Sequence, residues 1–369
     1  MFGILYGVIT GIGTWMGAGS ASTYSVNYAS AMVTDADNGA GESYRGTMID
    51  AHSHIDTPNI DIDLDMDYVF SFLDQANVSK VLLFGPPVPL QNIYRKYPDR
   101  VIPFVSAFRI DSSTGKLIIS GERLEWVEKL LKSGVFKGIG EIVLRHKAHG
   151  IHHPADDPLM LKLYDLAAQY SVPVNVHVDF EYSDELERAL EHNRKATIIW
   201  AHCGATGTAA GIVHAAPPLI RRMMDKHPNL FADLSVSNPY TLGERAPTQE
   251  ELFTNPDGSI KQEWKQLFED YSDRLMFGLD MAISRERYER VELTVKVTDY
   301  YRSFLYQLSP EAAENIAYKT IERILPAPAE VKKPLEEKPA FRISILVVGV
   351  IVILLVLGAF LLSKRRRES

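Results

Sequence analysis

Histidine and acidic side chains end several apolar runs of this chain, and their chemistry suits a divalent cation. The run MIDAHSH carries His52 and His54 two positions apart, so a strand would turn both imidazoles to one side. Two adjacent imidazoles can bind one divalent metal ion. Four later runs end in Glu141, His177, His202 and Asp280. Because these endings recur in chain order between helix-like segments, they predict a single site.

The elements that would position these residues alternate between strand and helix. Eight apolar, strand-like segments are Met48–His52, Val78–Phe84, Val101–Ala107, Phe136–Glu141, Val172–Val178, Ile198–Ala201, Leu230–Leu234 and Leu275–Gly278. Helical periodicity is found at Leu64–Gln75, Gly121–Lys132, Leu159–Tyr170, Asp184–His192, Ala215–Lys226 and Ile260–Tyr271, and in a final region, Arg285 to Leu325, with a break near Pro310. This order predicts an α/β fold with parallel strands.

A (β/α)₈ TIM barrel fits eight such units better than an open, doubly wound sheet. The doubly wound alternative would favour a glycine-rich phosphate loop after an early strand, and the sequence has none. Barrel enzymes form their sites at the carboxyl ends of the strands, where the polar residues lie. Alternation predicts that Asp50, His52 and His54 share an inward face, as do Trp200 and His202, and Met276, Gly278 and Asp280.

Composition describes an ordinary globular protein and narrows its partners. The 369 residues are 46% hydrophobic and 23% charged, with a net charge of -8. This acidic balance argues against a nucleic-acid partner, which requires a basic surface. A small-molecule substrate is the expected partner, and the sequence leaves a homo-oligomer open. The single cysteine, Cys203, excludes an internal disulfide.

The carboxyl end has the features of a membrane anchor. Residues 343–362 form an unbroken apolar stretch of about the length that spans a bilayer, and residues 363–369 form a basic tail. A basic cluster beside a span usually stays cytoplasmic. We therefore expect a single-pass cell-membrane protein with an extracytoplasmic catalytic domain. Residues 326–342, rich in Pro, Glu and Lys, resemble an extended stalk.

The amino end is consistent with export. Residues 1–21 are apolar and glycine-rich and finish in small residues, so we interpret them as a signal peptide or an uncleaved anchor, although the usual basic start is missing. Residues 22–46 are interpreted as a polar linker. The predicted catalytic domain therefore covers residues 47–325.

The ordered set of strand ends resembles the metal-dependent amidohydrolase superfamily, and specifically its amidohydrolase-related barrels. The matching segments are IDAHSH at residues 49–54, His177, AHCG at residues 201–204, FADLS at residues 231–235, RLMFGLD at residues 274–280 and ENIA at residues 314–317. Together they cover most of residues 47–325. The resemblance implies a deformed barrel that binds one or two divalent metals, with Zn²⁺ expected and Mn²⁺ or Fe²⁺ as alternatives.

The resemblance also implies roles for individual residues. His52, His54 and His177 would be metal ligands, and Asp280 would be both a ligand and the catalytic proton carrier. His202 would either complete a second metal site or act catalytically by polarising the substrate. Family members with two metals often have a carboxylated lysine on strand four, whereas this chain has Glu141, as TatD-type nucleases do. Glu141 is therefore either a ligand, bridging if two metals bind, or a carboxylate that forms a salt bridge, with Arg145 as its candidate partner.

Three functions remain open from the sequence. A metal held by imidazoles activates water at neutral pH, which would let a membrane-anchored hydrolase cleave an amide, ester or lactone. The same family contains decarboxylases, which is the first alternative. A surface binding protein that has lost catalysis is the second, although the complete ligand set argues against it.

The loops beyond the strand ends would select the substrate. Arg109, Arg145 and Arg285 lie there and are candidates for binding a substrate carboxylate, although exposed arginines are common. A second group, His146, His149, His152 and His153, follows strand four. Its spacing is compatible with metal binding, but we interpret it as a flexible, exposed loop.

Overall fold

The computed structural model of the chain describes residues 43–55, 62–208, 211–240, 248, 251–283 and 291–327. The chain divides into two units after Pro326, and the residues described here belong to the first, apart from Ala327. The strands are β1 Met48–Ile55, β2 Val78–Gly85, β3 Val101–Val105, β4 Arg109–Asp111, β5 Lys116–Ile118, β6 Gly138–His146, β7 Ile151–His152, β8 Val174–Val178, β9 Ile198–Trp200, β10 Thr206–Thr208, β11 Gly211–Val213, β12 Leu230–Asp233, β13 Leu275–Met276 and β14 Met281–Ile283.

The predicted parallel sheet is confirmed, and its two edges belong to one chain segment. Its order is β13-β12-β9-β8-β6-β3-β2-β1-β14, with parallel pairing throughout. β13 and β14 are successive parts of the eighth predicted strand, and β13 pairs with β12 while β14 pairs with β1. Between them, Ala51 N donates to Phe277 O at 3.0 Å and Asp280 N to His52 O at 2.6 Å. The sheet is therefore closed, which is consistent with a (β/α)₈ barrel.

Helices follow most of the strands, as parallel pairing requires. They are α1 Ile62–Gln75, α2 Pro87–Lys96, α3 Gly121–Lys132, α4 Pro158–Gln169, α5 Ser183–His192, α6 Pro217–Lys226, α7 Gln262–Asp270, α8 Thr294–Leu305, α9 Pro310–Glu314 and α10 Thr320–Ile324, the last two joined by a π-helical turn, Asn315–Lys319. Side chains cap several starts: Ser120 accepts from Arg123 N and Asp157 from Leu159 N, which satisfies amides that have no partner within the helix. The predicted break near Pro310 is confirmed, because α8 ends at Leu305 and α9 begins at Pro310.

Two apolar layers support the sheet. Side chains such as Val81, Val174 and Leu230 pack outward in a large cluster with helix residues such as Leu73 and Leu163. A smaller cluster takes its members from facing strands: Ile49, Ala51, Leu82, Phe84, Ile102, Phe104, Ile199 and Met276, with Ile321 from α10. This second cluster fills the interior of the closed sheet, so the polar site occupies only one end of it.

Strand alternation was a poor guide at two positions. The prediction that Trp200 faces inward with His202 is wrong: Trp200 packs in the outer cluster and its indole donates to Val178 O at 2.7 Å, whereas Ile199 faces inward. Asp50 also departs from the predicted face, because the register of β1 against β2 shifts between Asp50 and Ser53. Helix α2 was not predicted; it begins at Pro87, and proline suits the first turn of a helix.

Asp50 joins β1 to the interrupted eighth strand. Its fully buried carboxylate accepts from His52 N at 3.0 Å, from Leu279 N at 2.9 Å and from Ser53 Oγ at 2.6 Å. Burial raises the pKa of Asp50 to about 7, although these three hydrogen bonds oppose the rise. The carboxyl group therefore holds the two segments that present His52 and Asp280.

We expect Asp50→Ala to reduce the free energy of unfolding by about 3 kcal/mol, because buried donors left without an acceptor cost ~1–3 kcal/mol each. Urea denaturation of the purified protein would measure the change. Asp50→Asn is the matched variant: its amide oxygen can still accept from both backbone amides, so a loss of less than half that size is expected. Equal losses in the two variants would contradict the assigned role.

The membrane prediction is not addressed by the described residues. None of the helices found in the ranges given above has the length and apolar character needed to cross a bilayer. The predicted leader at residues 1–21 and the predicted span at residues 343–362 lie outside those ranges, as do most of the predicted linker and stalk.

Candidate metal centre

Three predicted ligands meet at the closure of the sheet. His52 Nε2 lies 3.1 Å from His54 Nε2, and Asp280 Oδ1 lies 3.8 Å and 3.4 Å from these two nitrogens. β1 carries both histidines, and the non-strand segment between β13 and β14 carries Asp280. The Asp280 backbone has a φ of 51°, a left-handed turn that interrupts the strand and directs this carboxylate into the site.

Glu141 lies between this group and two further histidines. Its Oε2 is 3.9 Å from His52 Nε2 and 3.6 Å from His54 Nε2. Its Oε1 is 3.1 Å from His177 Nδ1 and 3.5 Å from His202 Nε2. The two oxygens of one carboxylate therefore face two different pairs of imidazoles. The alternative pairing with Arg145 is wrong, since Arg145 binds Glu185.

His202 reaches the centre by a turn rather than by strand alternation. β9 ends at Trp200, and His202 and Cys203 then adopt φ values of 55° and 50°. Gly204 completes the turn at a φ of 72°, where an added Cβ would lie 2.1 Å from the Trp200 ring. The chain therefore needs glycine at this position to bring the His202 imidazole inward.

Each of three imidazoles is held on its far side by an acceptor. His52 Nδ1 lies 2.9 Å from Asp233 Oδ2, His177 Nε2 lies 3.2 Å from Asp179 Oδ1, and His202 Nδ1 lies 2.6 Å from Ser235 Oγ. Sequence reasoning did not assign these three partners as site residues. Asp233 and Ser235 lie in the FADLS motif, and Asp179 follows the strand that carries His177, so proximity to a ligand was the available signal.

The carboxylates set the protonation of the centre. Burial alone lowers the pKa of His52, but Asp233, Glu141 and Asp280 outweigh burial and raise it to about 10. Burial likewise opposes, and Asp179 and Glu141 cause, a rise in the pKa of His177 to about 9. In the reverse sense, burial raises the pKa of Glu141 while hydrogen bonds from His177 and His202 hold it well below its usual value. The pKa of Asp280 is also lowered, by His54 and the neighbouring imidazoles, against the effect of burial.

These shifts predict that metal affinity rises with pH. His52 and His177 stay protonated up to about pH 10 and about pH 9, and a metal ligand must be neutral, so cation binding has to displace these protons. Between pH 6 and 8.5 the apparent affinity should increase about tenfold per pH unit for each proton released. Zinc titration against a competing chelator at several pH values would measure it, and an affinity independent of pH would contradict the prediction.

The donor set fits a divalent cation. Two nitrogens bound to one tetrahedral zinc lie about 3.3 Å apart when the bonds are about 2.05 Å long, and the two Nε2 atoms of His52 and His54 are 3.1 Å apart. Two groups of potential ligand atoms converge here, His52 with His54 and Asp280, and His52 with Glu141 and His202. Imidazole and carboxylate donors suit zinc, and also manganese or iron.

Two of the three arginines proposed to bind substrate lie within the described residues, and the hydrogen bonds of Arg145 go to residues outside this centre. Arg145 is fixed by Glu185, by the carbonyl of His152 and by the ring of Tyr182, which occupies each nitrogen of its guanidinium group. The prediction that Arg145 binds substrate is therefore not supported by its contacts. Arg109 begins the β4–β5 hairpin and is exposed, and Arg285 lies outside the described residues.

The histidines after strand four form a hairpin beside the centre. β6 continues to His146 and pairs antiparallel with β7, so Glu141 lies within its strand rather than at the end. The His146 ring stacks on His177 with centroids 4.3 Å apart, and His153 is buried. The interpretation of this region as an exposed loop is therefore wrong for His146 and His153.

Comparison with solved structures agrees with the fold. A TatD homologue from Escherichia coli matches with a TM-score of 0.50 and 14% identity, covering 76% of this chain and 98% of that chain. An amidohydrolase from Burkholderia multivorans with bound zinc matches with a TM-score of 0.47 and 15% identity, covering 76% and 100%. A 2,6-dihydroxybenzoate decarboxylase from Rhizobium matches with a TM-score of 0.41 and 12% identity, covering 75% and 98%. At 14% identity, the TatD homologue indicates a shared fold only. No curated protein matches the sequence.

The closed parallel sheet and the convergent imidazoles and carboxylates define a metal-dependent enzyme. The family assignment follows from the sequence: a model described as amidohydrolase matches residues 49–327. The chain belongs to the amidohydrolase family, as its motifs predicted.

Proposed function

We propose that this protein is a hydrolase with two metal ions, which cleaves a C–N or C–O bond in an amide, ester or lactone of a small molecule. The observation that supports it is the position of Glu141, whose two oxygens face separate pairs of histidines. A carboxylate in this position can bridge two cations, and paired cations are a common device for activating water in hydrolysis.

The ligands divide into two half-sites. His52, His54 and Asp280 would hold the first ion, and His177 and His202 the second, with Glu141 shared between them. Zinc is the proposed metal, because nitrogen donors outnumber oxygen donors in this set. His202 is thereby proposed as a ligand, and polarisation of the substrate by its imidazole becomes the alternative.

The residues around the ions would have different roles in the reaction. A bound divalent cation would supply Lewis acidity, which polarises a carbonyl oxygen and lowers the pKa of water to about 7. Asp280 is proposed to accept and return the proton, since its side chain is 19% exposed whereas that of Glu141 is 7% exposed. Asp233 and Asp179 are fully buried and would hold imidazoles in place. Phe84 belongs to the apolar cluster inside the sheet, and its ring contacts those of His52 and His54. It would exclude water from the side of the site that faces this cluster.

A two-part assay tests this function. Purified protein is analysed for bound metal and then tested with ester, lactone and amide panels and, separately, with aromatic and unsaturated acids for release of carbon dioxide. We expect close to two metal ions per chain and hydrolysis without carbon dioxide release. Carbon dioxide release alone would favour the decarboxylase alternative, and stoichiometric metal without either reaction would favour a binding protein.

We also propose that residues 343–362 anchor the enzyme in the cell membrane with the catalytic domain outside. The proposal rests on the apolar length of that stretch and the basic residues that follow it. Protease treatment of intact cells should remove the catalytic domain, whereas full protection in cells that remain intact would reject this orientation.

A further inference from the structure

Asp233 contacts residues of both proposed half-sites without being one of the proposed ligands. Its Oδ2 lies 2.9 Å from His52 Nδ1 and 3.3 Å from Asn175 Nδ2. Its Oδ1 accepts from His202 N at 3.1 Å and from Ser235 N at 3.3 Å, and also from the Ser235 hydroxyl. A single carboxylate, fully buried on β12, thus connects residues of β1, of β8 and of the turn after β9.

The direction of these hydrogen bonds indicates which imidazole nitrogens would be free to bind a metal ion. A carboxylate accepts only, so His52 must carry its proton on Nδ1. The Ser235 hydroxyl has one proton, which it donates to Asp233, so it accepts at 2.6 Å from Nδ1–H of His202. In a neutral imidazole the remaining nitrogen has a lone pair, and in both histidines this is Nε2, the atom that faces Glu141.

Asp233 also supports the backbone that delivers His202. The His202 amide donates to Asp233 within the left-handed turn, where φ is 55°. Non-glycine residues adopt such backbone conformations at an energetic cost, so a buried acceptor for this amide favours the turn. The same carboxylate therefore sets the position and the tautomer of His202 while it sets the tautomer of His52.

From these contacts we infer that Asp233 is a positioning residue that couples the two half-sites, and that Ser235 carries its effect to the second one. The inference rests on the proposed two-metal centre and adds residues that orient its ligands. Acceptors behind metal-binding histidines commonly change metal affinity by about 10- to 100-fold. Loss of Asp233 should therefore weaken the binding of both ions. Loss of Ser235 should weaken only the binding of the ion that His177 and His202 would hold.

Asp233→Asn is expected to change the tautomer of His52. If the amide oxygen of the new asparagine keeps the hydrogen bonds from the backbone amides of His202 and Ser235, its NH₂ group must face His52 Nδ1. That NH₂ group is a donor, so His52 Nδ1 would have to become an acceptor. The His52 proton would then move to Nε2, which would turn an N–H rather than a lone pair toward the ion. The variant keeps the side-chain shape, so the change is chemical more than steric.

Stepwise zinc binding to the full-length protein at pH 8 tests the inference, with a chromogenic chelator as competitor and ¹⁵N-histidine NMR of the zinc-loaded protein. We expect Asp233→Asn to weaken both steps by about 10-fold or more, and Ser235→Ala to weaken one step with the His52 Nδ1–H signal unchanged. Asp165→Asn is the matched control, because Asp165 holds the exposed His192 at 3.0 Å and should bind zinc as the wild type does.

The outcomes separate this inference from the function it rests on. Wild-type protein that binds no zinc would overturn the metal centre and the inference together. Zinc-binding wild type with unchanged steps in a folded Asp233→Asn variant would overturn the inference alone. Weakening of a single step by Asp233→Asn would also overturn it, because the coupling of two half-sites would be absent. Should Asp233→Asn fail to fold, unchanged binding in Ser235→Ala would have the same meaning.

Discussion

Replacement of both His52 and His54 by alanine is expected to remove metal binding at the first half-site and to lower kcat at least about 10³-fold. The two Nε2 atoms lie 3.1 Å apart and face Asp280 and Glu141, so the double variant leaves that half-site without nitrogen donors. A catalytic metal contributes several kcal/mol of stabilisation to developing charge, and each 1.4 kcal/mol corresponds to a factor of ten in rate. Elemental analysis and turnover on a substrate found in the panel assay would measure both effects.

His192→Ala is the matched control for this variant. His192 ends α5, where its partly exposed ring contacts Asp165 and none of the proposed metal ligands, and its loss should leave metal content and turnover at wild-type levels. Full activity in the His52→Ala/His54→Ala protein would reject the metal-dependent mechanism. Both variants must give the far-UV circular dichroism spectrum of a folded protein.

Asp280→Asn is expected to lower kcat by about 10²- to 10⁴-fold, the usual contribution of a general acid or base, with a smaller change in KM. Asparagine keeps an oxygen near His52 and His54 but cannot accept a proton. The neighbouring imidazoles lower the pKa of Asp280 against the effect of burial, so in the free enzyme the carboxylate is ionised at neutral pH and ready to accept one. Kinetics at saturating zinc would separate this effect from weaker metal binding.

Asp184→Asn provides the comparison for that variant, since Asp184 forms an exposed ion pair with Arg188 and should leave the kinetics unchanged. If zinc-saturated Asp280→Asn turned over at the wild-type rate, Asp280 would not be the proton carrier, and its role would be limited to metal binding.

The strand order and the identity of the convergent residues were predictable from sequence because both depend on local patterns. Apolar runs and helical periodicity located five strands, β2, β3, β8, β9 and β12, and six of the helices within two residues of their observed bounds. The strand endings, together with the family motifs, indicated His52, His54, Glu141, His177, His202 and Asp280, which the structure brings together.

The remaining features depend on tertiary contacts that local patterns do not encode. His202 turns inward through a left-handed backbone, so alternation from Trp200 gave the wrong face. The eighth strand divides at Asp280 because its two halves pair with different neighbours. The fourth predicted strand continues past Glu141 to His146 because it pairs with β7, and Glu185, 40 residues after Arg145 in sequence, binds that arginine. Each error arises where a partner distant in sequence determines the conformation.

The division of the last strand has a consequence for protein synthesis. Leu279 N reaches Asp50 across 229 residues of sequence, and Met281 N reaches Ser53 across 228. A nascent polypeptide that has not yet released β14 from the ribosome lacks the segment that joins both ends of the sheet, and it lacks Asp280 as well. Incomplete translation products would therefore lack both the closed sheet and one of the proposed metal ligands, and we expect them to be inactive.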